Sequence, residues 1–386
     1  MSDDSYTEVT SQTWFSRIGG SFKSIVFGLL LFVAAFPLLW WNEGNSVERY
    51  NSLKESQGVV VAVAADAVNP ANDGRLVHVS GLATTDEILK DEVFGVSAPA
   101  IELQRVVTMY QWKESEATET KEQLGGTKTT TKTYSYSKQW SGDPIDSSRF
   151  KNPVGHTNPV MPYKSETFQA KDVRLGAFRL NAAQVGRLSG AQALRVRALQ
   201  MPAPLPGKTP TPMGDGFYLG SYVANPQVGD LQVSFKVINP ADVSIVAQQQ
   251  GNSFSAYHTK AGGDVDLLQM GLLDANAMFA IAQHDNVVMT WIIRVGGFLL
   301  MWIGLAMILS PLSALGSVLP FLGNLIAMGT GLLAFLVALL LAMLVIAVAW
   351  IFVRPLLAGI LIAVAVVALV VMKFMPRHAV AVVDAK

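Results

Sequence analysis

The chain has 386 residues, 51% of them aliphatic or aromatic, with 29 basic and 29 acidic side chains and no cysteine. A formal net charge of zero supplies no global field for nucleic acid. The absence of thiols excludes disulfides, thiolate metal sites and cysteine nucleophiles.

Residues 1–24 form a tail in which Trp14, Phe15, Ile18 and Phe22 fall at helical spacing with Arg17 and Lys23 interleaved, the pattern of a helix lying on a membrane surface. The first apolar run, 25–41, ends in Trp40 and Trp41, which suit the interface, and lacks the small residues of a cleavage site. Residues 42–290 then read as soluble protein, long enough to build their own core. Apolar or alternating segments at 59–65, 75–79, 103–112, 231–238 and 243–247 predict a β-rich domain. The polar stretch 113–132, with Gly125-Gly126, predicts an exposed, mobile hairpin tip leading to a Thr- and Tyr-rich strand that ends near Trp140. Asn181 is placed to cap a helix over 182–188, residues 201–216 are rich in Pro and Gly and predict a surface loop, and Asn239-Pro240 predicts a hairpin. Residues 265–284 read as a helix leading to the second span.

That span covers 291–310 and is broken by Ser310-Pro311; an uncharged connector, 311–323, suits the interface. The third, 324–353, exceeds the ~20 residues needed for a crossing and must tilt or end in the headgroups. Arg354-Pro355 marks a turn, 354–372 forms a fourth span, and the tail 373–386 carries Lys373, Arg377 and Lys386. Four crossings put both termini on one side, and their basic residues favour the cytoplasm. The expected fold is therefore a membrane protein of α plus β class. One N-terminal and three C-terminal transmembrane helices would flank a large β-rich extracytoplasmic domain.

Residues with catalytic potential are sparse in pattern. The five histidines show no HExxH or i,i+4 pairing that would place two metal ligands on one helical face. No GxSxG elbow or phosphate-cradling glycine loop is present. No Asp or Glu lies within 25–41 or 286–383, where ion-coupled transport would need one. Neither an enzyme activity nor a cofactor is expected. Arg294, Asn324 and Arg354 lie near span ends, where snorkelling accounts for the two cations. Gly297, Gly304, Gly329 and Gly331 would allow helix backbones to approach closely, within one bundle and between copies.

Several collinear segments carry a resemblance. WNEG (41–44) contains Asn42, Glu43 and Gly44, and NDGRLVHVSG (72–81) contains Gly74, Arg75 and His78. FGVSAPAIELQRVVTMYQWKE (94–114) contains Tyr110 and Trp112, and YSYSKQW (134–140) contains Trp140. VGHTNP (154–159) contains Gly155, His156, Asn158 and Pro159; VGDLQVSF (228–235) contains Gly229 and Asp230; FVRPL (352–356) contains Arg354 and Pro355. Together they resemble the LUMA family, also called transmembrane protein 43. The glycines and Pro159 read as turn residues, the histidines as packed or hydrogen-bonded groups, and the aromatic rings as core or headgroup contacts.

The resemblance implies a membrane protein that organises other membrane proteins without enzyme activity, in animals at the endoplasmic reticulum and inner nuclear membrane. Here the uncharged connector and the 201–216 loop depart from the animal pattern, which tells against a lamina role, and the Ala- and Val-rich spans without cysteine look bacterial. The expected location is a bacterial inner membrane with a periplasmic domain, or the endoplasmic reticulum and inner nuclear membrane in a eukaryote. The expected function is a self-associating scaffold whose partners are membrane lipid, further copies and other membrane proteins, not nucleic acid. The alternative is a lipid-binding or lipid-transfer module using an apolar groove of the domain.

Overall fold

A computed structural model of the protein describes residues 5–12, 14–122, 127–196, 209–316, 320–356, 359, 360 and 363. They divide into two units, a β-rich one built on 5–12, 52–122 and 127–284, and a helical one built on 14–51 and 285–363.

The helical unit is made from long helices. α1 runs Trp14–Val59, α3 runs Ala275–Gly316 and α4 runs Pro320–Val353. A single turn, α2 (Ala182–Val185), lies in the other unit, where Asn181 and Gln184 close a reciprocal capping box. Within the long helices, Lys23–Val59, Ala275–Leu312 and Met328–Val353 are long and apolar enough to cross a membrane. The expected fourth span lies largely outside the described residues.

Helix ends differ from the expected span ends because hydropathy locates the bilayer, whereas helix length follows propensity and capping. α1 passes Trp41 without a break, since the polar sequence after Trp41 contains no proline before its end at Val59. The first turns of α1 continue from the expected surface helix, whose side chains through Phe22 lie outside the described set. Pro311 sits inside α3 rather than ending it, as apolar helices tolerate. α4 starts at Pro320, a residue suited to the first helical position. The core of this unit is small: Ala35, Leu39, Met301, Ala338, Ala342 and Val345. Small side chains let the helix axes come close.

The β-rich unit holds an eight-stranded and a seven-stranded sheet. The first is organised on a long antiparallel hairpin, Glu102–Glu122 with Lys128–Ser141. The polar stretch expected at its tip is instead paired strand through Glu122, and alternating Thr, Glu and Lys suit a two-sided solvated ribbon. Residues 123–126 lie outside the described set. Strand Ser5–Gln12, expected in a tail beyond the first span, pairs with Lys128–Ser135. On the other side of the hairpin, Leu231–Ile238 pairs with residues 102–109.

Asn239-Pro240 does not make a hairpin. Leu231–Ile238 belongs to the first sheet and Ala241–Gln250 to the second, where it pairs with Leu76–Thr84. A proline that cannot donate to a ladder suits a corner between sheets. Both sheets line one core, with Val79, Leu103, Val107, Phe235, Val243 and Ile245 fully or almost fully buried. Val246, on the opposite face of its strand, packs with Leu53 of α1 and with Met278 and Phe279 of α3. Within the stretch expected as helix, Val265 and Leu267–Met270 are strand, and α3 begins only at Ala275. Buried Asp91 pairs with Arg105 at 2.6 Å and accepts from the Val93 and Phe94 amides, so both members of this interior pair are hydrogen-bonded.

Candidate functional site

Four-residue spacing puts Asn286, Thr290 and Arg294 on one face of α3, while Asn42, Glu43 and Ser46 share a face of α1. These faces meet as a polar ladder. The Asn286 amide donates to the Ser46 carbonyl at 2.9 Å, the Thr290 hydroxyl to the Ser46 hydroxyl at 2.8 Å, and the Asn42 amide to the Thr290 carbonyl at 3.2 Å. At its end, Arg294 grips Glu43 in a fork: Nε donates to Oε1 at 2.6 Å and Nη2 to Oε2 at 2.7 Å. The Trp350 indole of α4 donates to the same Oε2 at 2.7 Å.

The Glu43 side chain is fully buried and that of Arg294 is 13% exposed, so this is an interior ion pair, not the snorkelling cation the sequence suggested. A bidentate geometry with a further donor is what such a pair needs to offset desolvation. The guanidinium also lies 4.9 Å from the Trp291 ring and 5.8 Å from that of Trp350. Arg354 also lies 5.9 Å from the Trp350 ring.

Glycines tighten the same helix pair. A Cβ at Gly304 would stand 2.6 Å from the Gly28 carbonyl and 2.7 Å from the Phe32 amide; one at Gly28 would meet the Gly304 carbonyl at 2.7 Å. A Cβ at Gly297 would press on the Leu39 side chain at 2.5 Å. Gly329, Gly331 and Gly44 have open space at that position, although the Gly331 carbonyl accepts from Trp302 at 3.2 Å. Sequence reading missed Gly28, Ser46, Thr290 and Trp350. The period-four polar run on α3 was legible, but its partner face was not.

In the β-rich unit the motif residues close turns and join strands. Gly74, Gly155 and Gly229 have φ of 76°, 81° and 94°, the left-handed region that glycine tolerates. Asn158 imitates a strand: its side chain accepts from the Trp112 amide at 2.7 Å and donates to the Trp112 carbonyl at 3.0 Å. Buried His156 stacks on Tyr136 at 3.9 Å, meets the edge of Trp112, and bonds the Asn152 carbonyl through Nδ1. His78 bonds the Leu273 carbonyl at 2.8 Å, and Arg75 reaches Asn72 at 3.4 Å. Tyr110 and Trp140 are cross-strand partners with ring centroids 5.2 Å apart. Asp230 accepts from the Tyr218 hydroxyl and the Gln227 amide, while Gly229 donates to Tyr110. Burial, followed by the Asp230 carboxylate, pushes the Tyr218 phenol above its ordinary range. Arg174 and Arg179 hold Asp172 below the usual carboxylate range. Pro159 and Pro355 are exposed.

Among the described residues, no group of three or more His, Asp or Glu is placed to hold a metal ion. Helices able to span a bilayer and a β-rich domain together define a membrane protein of α plus β type.

The profile of the family described as Transmembrane protein 43 matches residues 109–355. The mouse protein of that name is 32% identical over 381 residues, covering 95% of this chain and 94% of its own length. The human protein is 32% identical over 377 residues, with 94% and 93% covered. A Drosophila melanogaster homologue is 32% identical over 348 residues, with 86% and 89% covered. No solved structure matches. The chain belongs to the Transmembrane protein 43 family.

Proposed function

We propose that this family member is a non-enzymatic membrane scaffold. It crosses the bilayer four times, holds the 42–290 domain outside the cytoplasm, and associates with copies of itself and with other membrane proteins. The carrying observation is the position of Glu43. The carboxylate beside the first apolar run is buried, and both oxygens are engaged by Arg294 and Trp350. It joins three helices and is not presented to a substrate.

The chemistry-bearing motif residues of the domain are likewise engaged in turns and strand contacts, as with Asn158, His156 and Asp230. Tethering by helices confines the domain to a thin layer, where high effective concentration makes modest contacts sufficient and closed symmetric assemblies the usual outcome. Ala- and Val-rich spans without cysteine support a bacterial inner membrane and a periplasmic domain. For the lipid-transfer alternative, a domain cavity beside Val106, Thr108 and Phe217 has about 220 Å³ and carries Asp215 and Gln232 on its wall. That is smaller and more polar than ligand pockets usually are.

Co-expression of two differently tagged copies tests the reading. Recovery of the second tag when the first is captured from solubilised membranes supports self-association, and its absence at matched expression opposes it.

A further inference from the structure

We infer that the groove between α3 and α4 is a site for a single acyl chain of an anionic phospholipid, with the headgroup phosphate at Arg294 and Arg354. The inference concerns the helical unit and does not rest on the scaffold reading. The groove encloses about 370 Å³, and its wall combines Val295 and Phe298 of α3 with Leu339, Ala342, Met343 and Ile346 of α4. It lies within two segments apolar enough to span a membrane. Trp291, Val295 and Met343 on its rim are 58%, 52% and 55% exposed, so it opens sideways, where a bilayer presents hydrocarbon.

The wall from Leu339 to Trp350 extends about 16 Å along α4 at the helical rise of about 1.5 Å per residue. A hydrocarbon chain touching its walls at about 4 Å fits along such a groove.

Charge selects the headgroup. The groove ends at Trp291, Trp350 and Arg294, and Arg354 lies against the Trp350 ring. Glu43 engages Arg294 through Nε and Nη2, which leaves Nη1 turned from that fork. The Glu43–Arg294 pair is neutral overall, so Arg354 supplies the charge of the rim and Arg294 a further N–H donor; a phosphodiester complements both, with the indoles at the interface. The chain's own residues 356–372 contain only apolar side chains and glycine, and so offer nothing to the arginines.

The test reconstitutes the full chain in phosphatidylcholine vesicles doped with phosphatidylglycerol bearing a diazirine on one acyl chain, and maps adducts by peptide mass spectrometry. The expected result is adducts concentrated around residues 295–298 and 339–346. Those at 339–346 should fall at least fivefold in Val295→Trp, which fills the groove from its exposed wall, and fall in Arg354→Gln, while both variants keep wild-type helicity and thermal transition. A diazirine phosphatidylcholine that labels the groove equally would overturn the anionic assignment. Adducts spread evenly over exposed positions such as Phe27, Leu30 and Leu332, insensitive to Val295→Trp, would mean annular lipid and overturn the site. So would a photo-reactive residue at position 343 that links to 356–372 and not to lipid.

Discussion

Replacing Glu43 by alanine removes the carboxylate that Arg294 and Trp350 share and strands a guanidinium only 13% exposed. Breaking a buried pair from one side costs about 3–5 kcal/mol, because the remaining charge stays desolvated without a partner. At about 1.4 kcal/mol per tenfold, that lowers the folded-to-unfolded ratio by a factor of roughly 10² to 10⁴. Arg294→Ala should cost a comparable amount by exposing the converse defect at Glu43. The double variant Glu43→Leu with Arg294→Leu should recover most of the loss, since an apolar pair needs no compensation there. The assay is a denaturant titration in mild detergent of both single variants and the double, followed by helical circular dichroism. Single variants within about 1 kcal/mol of wild type, or a double variant equal to the sum of the singles, would refute the assignment of this pair as a coupled tie between α1 and α3.

Gly304→Leu should destabilise the same helix pair by about 1–3 kcal/mol or more, because its side chain meets the Gly28 carbonyl and the Phe32 backbone, and a lowered thermal transition in detergent would register it. Gly329→Leu, with open space at that position, should leave the transition in place. Asn158→Ala should cost about 1–3 kcal/mol by leaving the Trp112 amide and carbonyl without the Asn158 side chain, read as lower stability with no change in helix content. For the proposed orientation, cysteines at Thr120 and Ala385 should react with an impermeant thiol reagent in intact cells at Thr120 alone. A helix that crosses the bilayer once separates its two ends, so residues 5–12 would then have to leave the 128–135 edge. A disulfide between cysteines placed at the facing positions Thr7 and Thr133, formed in native membranes, would contradict a single crossing by α1 and with it the four-span topology.

Much of the architecture was legible because it follows from patterns local in sequence. Apolar runs located the three long helices, alternation located strands such as Leu231–Ile238, and a single cap residue, Asn181, located a helical turn. What was missed depends on partners distant in the chain. Leu231–Ile238 and Ala241–Gln250 both read as strands and are separated by only two residues, and only tertiary packing sends them to different sheets. The residues of the polar ladder lie some 240 to 310 positions apart, as in Glu43 with Arg294 and Trp350, so no window of sequence reports their union. Arg294 read alone is a snorkelling cation near a span end; beside Glu43 it is the interior half of an ion pair. Gly28 and Gly304 show the same limit, because a glycine in an apolar helix marks a contact only when the opposing backbone is known.

Self-association is the central claim, and the molar mass of the solubilised chain tests it most directly. Light scattering of wild-type protein in mild detergent, with the detergent contribution subtracted, is read across a dilution series against the 41.6 kDa monomer. A mass of two or more subunits at high concentration, falling towards the monomer on dilution, is the predicted result. A monomeric mass at every concentration would contradict a scaffold built from its own copies.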